Sequence, residues 1–381
     1  MLQAGVLCAK TKFRFLSNDV IRDMKVSACS VQTAPLCFMP DGRLLCFSHG
    51  QIVVINEGSV EKRFSIPISS KEKILGCSRL MSRLLRFGVR AAQAIDDKHV
   101  LLSIGNRLYE LKIETGTLTE GWYCGEGVRP LVMNNVQGIE GFADGVYFGG
   151  YVHNHEMNPV HIYHRKGVDD WEVVFTFTQG TINHVHNVLA DTYRKCLWIF
   201  TGDFGDAATI WKVSDGFRKV ECFAGGNQKW RGSVVFVLPE GLLYATDTPR
   251  AENFLYLLNP DTLEQKEVIP LHGSCIYGCE WKENYVFAST VECDGGDMGF
   301  FEYWFGRKRG KGIKDEYVHM YCGNLKEGFR EIYKEKKDWL PFTLFQFGAF
   351  KFPAGKNDTD ILYFQPIATS NNDLALMAIK E

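Results

Sequence analysis

No run of this 381-residue chain approaches the roughly 20 consecutive apolar residues that cross a bilayer as a helix. No Cys-x-x-Cys pair stands among its 12 cysteines, which removes the spacing used by structural zinc sites and dithiol redox centres. Neither sign of charge predominates. With 43 Lys and Arg against 45 Asp and Glu, the formal net charge is −2, so no long-range field draws nucleic acid or an anionic membrane. The opening MLQAGVLCAKTKFRF places its charges after its apolar run and has no small-residue cleavage site, so a cytoplasmic protein is expected. The cysteines lie mostly inside apolar runs such as Leu36-Cys37-Phe38 and Leu45-Cys46-Phe47, as buried thiols in a reducing compartment do. Gly-x-Ser-x-Gly, a phosphate loop, a dinucleotide fingerprint and His-Glu-x-x-His are all missing. Serine-hydrolase, nucleotide-dependent and gluzincin chemistry are therefore not expected.

What the chain has is aromatic residues, 13% of the total, and 37 glycines spread through turns. Both suit a β-rich protein. Thr181 to Phe223 carries four short apolar or alternating runs separated by Asp-Thr-Tyr-Arg, Gly-Asp-Phe-Gly-Asp and Ser-Asp-Gly. That is a four-stranded antiparallel meander, the size of one β-propeller blade. Similar modules occupy 34–66, 91–123, 138–177 and 232–269, with turns at Pro40-Asp41-Gly42, Gly105-Asn106, Pro239-Glu240-Gly241 and Asn259-Pro260-Asp261. A sixth begins at Ser274, is interrupted by the basic stretch FGRKRGKGIKDEYVH, and resumes with HMYCGNL and FREIYKEK. The C-terminal FQFGAFKFP, DILYFQPIA and LALMAIKE supply three more strands. The N-terminal KFRFLS is expected to supply the fourth, closing the ring.

The expected fold is thus all-β: a single domain over 1–381, a propeller of seven blades or, if the irregular last two merge, six. It would be closed by its N- and C-terminal strands. A helical insertion near 70–88, with Ile74, Leu75, Leu80, Leu84 and Leu85 at helical spacing, would cap one channel end. A basic insertion near 303–318 would form an exposed rim loop that a protein partner could touch.

Two segments resemble the Asp-box of sialidase-like (BNR-type) propellers, a Ser-x-Asp-x-Gly-x-Thr-Trp hairpin between a blade's outer strands. IWKVSDGFRKVECF carries Ser214, Asp215 and Gly216 but no Trp, and IYHRKGVDDWEVVF carries Gly167, Asp169 and Trp171 but no Ser. The chain is also similar to propellers linked to bacterial surface polysaccharides. The resemblance implies the architecture and a carbohydrate-related role. It does not carry over catalysis, because the family's arginine triad, Tyr-Glu pair and acid Asp have no matching positions here.

In a propeller, first-strand starts and second-to-third-strand loops meet at the channel mouth. The expected starts are polar: Arg86 and Arg90, Gln137 and Glu140, His184 and His186, Trp230 and Arg231, Tyr277 and Glu280, and Gln346. The loops add His153, His155, Asp203, Asp206, Asp247, Arg250, Glu292, Asp294 and Asp297. Such a mouth suits an acidic glycan or sugar conjugate. His184 and His186, two apart on one strand, point to the same face. They could act as acid and base for hydrolysis or β-elimination with Asp203 and Glu140, or hydrogen-bond neighbouring blades. They could instead ligate a divalent metal with Asp203 or Asp206, although a meander is expected to set those acids at the opposite height unless its strands are short. Arg231 and Arg250 would clamp a carboxylate and Trp230 would stack on a sugar ring, with Arg90, Asp247, Tyr277 and Gln346 completing the substrate site. No cofactor is expected beyond the possible metal. The alternative is a non-catalytic scaffold that binds sugar or protein.

Overall fold

Short runs rich in β-branched and aromatic residues, cut every few residues by Gly, Asn and Asp, are too short to bury a helical face. They pair as hairpins instead. In the computed structural model, which describes residues 25–203, 205–294 and 299–380, they form seven antiparallel sheets, six of which follow chain order from the inside outward. The inner strands are Thr33–Phe38, Ala92–Ala94, Asn134–Val136, His184–Asp191, Gly232–Leu238, Cys275–Trp281 and Ala349–Lys351. Six blades have four strands; in blade two the outer strand is split into Thr117–Leu118 and Trp122–Tyr123, both paired with Arg107–Lys112. The fold is a seven-bladed β-propeller.

The ring closes by a composite blade. Lys25–Ser30 pairs antiparallel with Leu376–Lys380, Val26 opposite Ile379 and Ala28 opposite Met377, so the first strand among the described residues is the outermost strand of blade seven. Closure by the N-terminus is as expected, but this strand lies downstream of KFRFLS, which falls outside the described residues.

Each blade interface has its own apolar cluster. Leu36, Leu45 and Ile52 meet Val100 and Leu111 between blades one and two, and Trp198 and Phe200 meet Leu242 and Tyr244 between four and five. The others join two to three, three to four, five to six, six to seven, and seven back to one. Full burial of each large side chain contributes about 1.5–3 kcal/mol. Seven of the eleven described cysteines are buried in these layers.

Polar staples fix blade against blade. Asp191 is fully buried at the end of its strand and accepts from Trp198 Nε1 at 2.8 Å and from Arg194 N at 2.9 Å. Arg194 then donates to Leu238 O and Pro239 O of blade five. Asp169 accepts from Thr119 Oγ1 at 2.9 Å and Gly121 N at 3.1 Å, joining blade three to blade two. Both Asp-box-like segments do lie at third-to-fourth-strand turns.

The expected helix over 70–88 is two short ones, Ser70–Gly76 and Arg79–Leu85, broken where Ser78 caps the second. Its apolar residues do not bury: Ile74, Leu80 and Leu85 are exposed. The second helix is held instead by Arg83, 1% exposed. Arg83 pairs with Asp338, lies 3.3 Å from Asp373 and donates to Phe345 O. The basic segment follows a short helix, Phe300–Phe305, and belongs to the second-to-third-strand loop of blade six. It is a rim loop, as expected, but pinned: Gly310 N donates to Glu292 O and Gly312 N to Pro249 O. A Cβ on Gly312 would stand 2.0 Å from Ala251 O, so the loop can approach only without a side chain there. No helix among the described residues is long and apolar enough to cross a membrane.

Replacing Asp191 with Ala leaves the Trp198 indole N–H and the Arg194 guanidinium without their buried acceptor. The expected cost is about 3 kcal/mol in chemical denaturation, with the far-UV circular dichroism of the folded state retained. A loss within error would show that the staple contributes nothing.

Candidate functional site

In an antiparallel pair the end of the second strand lies beside the start of the first. His184 opens the inner strand of blade four and is paired with Gly202, the last residue of Cys196–Gly202. Asp203 therefore comes to the two histidines at the same height, which corrects the expectation that the meander separates them. Asp206 sits one turn further on and is exposed.

The centre is tightly specified. His184 Nε2 and His186 Nε2 lie 3.0 Å apart, and Asp203 Oδ1 is 3.3 Å from the first and 3.5 Å from the second. His184 Nδ1 is 3.2 Å from Val152 O, and His186 Nδ1 is 3.1 Å from Gly232 O and 3.2 Å from Ser233 Oγ. Carbonyls only accept, so both Nδ1 atoms carry their protons and both Nε2 atoms face inward. Gly202 makes room: a Cβ there would stand 2.3 Å from His186 Cε1. Asn183, whose Oδ1 accepts from Asp203 N, is tied to Asn154 in blade three.

Arg231, just before the inner strand of blade five, turns back to this group. Its Nη2 lies 2.9 Å from Asp203 Oδ1 and 3.9 Å from Asp247 Oδ2, and Ser233 Oγ donates to Asp247 Oδ2 at 2.7 Å. Burial alone would raise the Asp203 carboxyl. The charge of Arg231, 2.9 Å from Oδ1, works the other way and favours the ionised carboxylate. Burial lowers His184. Glu292 accepts from Thr290 Oγ1 at 2.8 Å and is pushed up to about 7, by burial first and then by the charge of Asp247.

This centre opens on a cavity of about 1100 Å³ bordered by His184, Asp203, Glu292, Arg86, Arg129 and Tyr151. The Tyr151 ring packs against His184 with centroids 4.4 Å apart, and Arg129 lies 5.5 Å above the same ring. Deeper in the channel, Arg90, Tyr277 and Lys351 border a smaller space with Gln346. Arg86 is lowered by burial and by Arg129; Arg90 is lowered to about 10 by burial, Arg129 and Arg86. Lys351 is lowered to about 8 by burial and by Arg90.

The expected site residues divide accordingly. His184, His186, Asp203, Arg231 and Asp247 come together, with Arg250, His153 and His155 at the cavity's lip. Arg90, Tyr277 and Gln346 lie lower. Glu280 is close to the far end of its strand, and Asp297 is outside the described residues. Glu140 does not belong to the mouth: the inner strand of blade three is Asn134–Val136, so Gln137 and Glu140 sit in the turn that follows it, at the opposite end of the channel. Trp230 packs on the cluster between blades four and five and offers no ring to the cavity. Tyr151 and Tyr303 do. Arg231 is engaged by Asp203 and Arg250 by Asp294 at 2.7 Å, so neither is the carboxylate clamp expected of it. Arg129, Tyr151, Ser233 and Lys351 were not expected. An earlier start for blade three would have flagged Arg129 as the residue leading into it.

The chain matches no sequence-family model and no curated protein sequence. Solved structures share its architecture. A chain of the mitotic checkpoint complex superposes with TM-score 0.53 at 12% identity, over 100% of this chain and 99% of that one. The propeller domain of Myceliophteria thermophila Cps50 (Swd1) gives 0.53 at 7%, over 93% and 98%. The AfRom2 CNH domain gives 0.51 at 7%, over 94% and 99%. At such identities the likeness establishes the propeller and nothing about chemistry; the sialidase-like resemblance gains no support beyond the shared fold.

Glu292 supplies a pH test. Its folded-state pKa of about 7 lies above the ordinary 4.5. Its relative contribution to stability is thus whole below pH 4.5 and is lost as pH rises to 7, because ionisation favours the unfolded chain. Glu292→Gln should therefore gain melting temperature over the parent progressively from pH 5 to pH 8. A difference independent of pH would mean that Glu292 is ionised throughout.

Proposed function

We propose that this chain is a ligand-binding propeller that receives an acidic sugar or sugar conjugate at its channel mouth. One observation carries the reading. Arg86 and Arg129 border the mouth cavity with Arg90 below them, and no carboxylate acts on Arg86 or Arg90 among the described residues. Elsewhere in the molecule a buried guanidinium is matched by acids, as Arg83 is by Asp338 and Asp373. Like charges held together at partial burial raise the free energy of the empty site, and an anion between them relieves it. The ring of Tyr151 supplies a face, and the buried acids Asp247 and Glu292 supply acceptors for hydroxyls, which a bare inorganic anion would leave unused. Hydrolysis and β-elimination are enzymatic versions of the same ligand choice.

The exposed helix Phe300–Phe305, with Phe300 70% and Phe301 77% exposed, supports a second reading of the rim as a protein-contact surface beside the basic loop. If that reading holds, Phe301→Asp would abolish a copurifying complex while leaving ligand titrations unchanged.

Calorimetry with digalacturonate and with a neutral disaccharide tests the first reading. Binding of the acidic sugar alone is expected, with a loss of about tenfold or more in Arg129→Ala, one charge-assisted contact being worth about 1.5–3 kcal/mol. Affinity should also fall as pH rises through about 8, where Lys351 loses its charge. Equal affinity for the neutral sugar, or none for either, overturns the reading. Proton NMR of the same mixtures over hours would replace binding with turnover if product resonances grew.

A further inference from the structure

We infer that His184, His186 and Asp203 form a binding site for a single divalent transition-metal ion of the zinc class, open toward the channel-mouth cavity. The argument is one of lone pairs. With both Nδ1 protons committed to Val152 O and Gly232 O, the neutral imidazoles present two bare Nε2 atoms 3.0 Å apart. Both face the same carboxylate, at 3.3 and 3.5 Å. Arg231 donates to Asp203 Oδ1, but the two bare nitrogens still face each other and the carboxylate with no proton between them. A proton added to one imidazole or a cation among all three resolves the conflict, and burial to 4% and 2% exposure works against a second proton on either ring.

The geometry suits a metal. An ion about 2.0–2.1 Å from each imidazole nitrogen, at a near-tetrahedral angle, spans nitrogens a little over 3 Å apart. The three ligand atoms lie within 4.8 Å of one another. Outer partners fix each ring, as they do around structural and catalytic zinc: a backbone carbonyl holds His184, and a carbonyl with the Ser233 hydroxyl holds His186. The ion pairs of Asp203 run through Oδ1, so its second oxygen can turn to the ion while Arg231 keeps the first. Asp203 is 29% exposed on its cavity side, which leaves a coordination position for water or for an oxygen of the ligand. Asp247, 3.9 Å from Arg231 Nη2, supplies the negative charge that lets Arg231 stay beside a cation.

A second group, His272, His319 and Asp315, has similar composition, but there His319 lies between two carboxylates, Asp315 and Glu331. Each ring nitrogen of His319 thus already faces a carboxylate, and the two imidazoles do not present a pair of nitrogens to one acid as His184 and His186 do.

The test uses the full chain, stripped with a chelator and titrated with Zn²⁺ by calorimetry, with Co²⁺ absorption as a second probe. One equivalent of Zn²⁺ is expected, with a rise in melting temperature and Co²⁺ bands of low-symmetry coordination. His184→Gln should weaken binding beyond the roughly 10–100-fold that an outer partner is worth, and Ser233→Ala by about 10-fold. His319→Gln should leave one equivalent in place. Should His184→Gln fail to fold, Ser233→Ala and His319→Gln still decide the matter. Arg129→Ala should bind Zn²⁺ normally, so failure of the sugar reading and failure of this one are distinguishable. Absence of stoichiometric binding to the parent chain, or loss of it in His319→Gln with Ser233→Ala unaffected, would overturn the assignment in favour of a shared proton.

Discussion

Ring closure is the constraint on which the rest depends. Lys25–Ser30 on Leu376–Lys380 ties blade seven to the segment leading into blade one, and it forces seven inner strands to begin at one face of the molecule. The side chains at those starts converge whether or not they attract. The second-to-third-strand loops arrive at the same face, because antiparallel pairing returns each second strand to the height at which its partner began. His184, Asp203, Arg231 and Asp247 meet for this reason, although 63 positions separate the first from the last. The apolar cluster at every blade interface holds the starts rigid, so the mouth is a preorganised surface rather than a set of mobile loops.

The blades were legible because their punctuation is local. Pro40-Asp41-Gly42, Ser214-Asp215-Gly216 and Asn259-Pro260-Asp261 each sit at a hairpin turn, where Gly42 and Gly216 take the left-handed conformation that glycine tolerates. Blade three misled the reading because its inner strand, Asn134–Val136, has only three residues and a polar beginning. Without it, the next apolar run was taken as the first strand and Glu140 was moved to the wrong end of the channel. The helical insertion failed differently. Leucines at helical spacing predict an apolar face, yet Arg83 anchors the second helix through acids 255 and 290 residues away, and no local pattern reveals a partner at that distance.

Site residues were legible where chemistry coincided with strand position and illegible where it depended on a partner. The two-residue spacing of His184 and His186 was enough to place both on one face. Nothing in the spacing of Arg231 or Arg250 tells that each is spoken for, the first by Asp203 and the second by Asp294. Nor does sequence show that Trp230 turns into a blade interface while Tyr151, at the end of a second strand, lies against His184.

Charge at the mouth is separated rather than paired. On one side Arg231 stands among Asp203, Asp247 and Glu292, and Glu292 is driven toward neutrality by burial first and then by the charge of Asp247. On the other side burial and the charge of Arg129 lower Arg86 and Arg90, and burial and Arg90 lower Lys351, with no described acid acting on them. A channel selected for stability alone would bring the two groups together, as the Arg83 cluster does a short distance away, since moving one carboxylate among the arginines would relieve both sides at once. That the acids and imidazoles hold one wall and the arginines the other is costly in the empty protein. It is favourable only when something bearing negative charge at one end and hydroxyl or metal-binding oxygens at the other lies across the mouth.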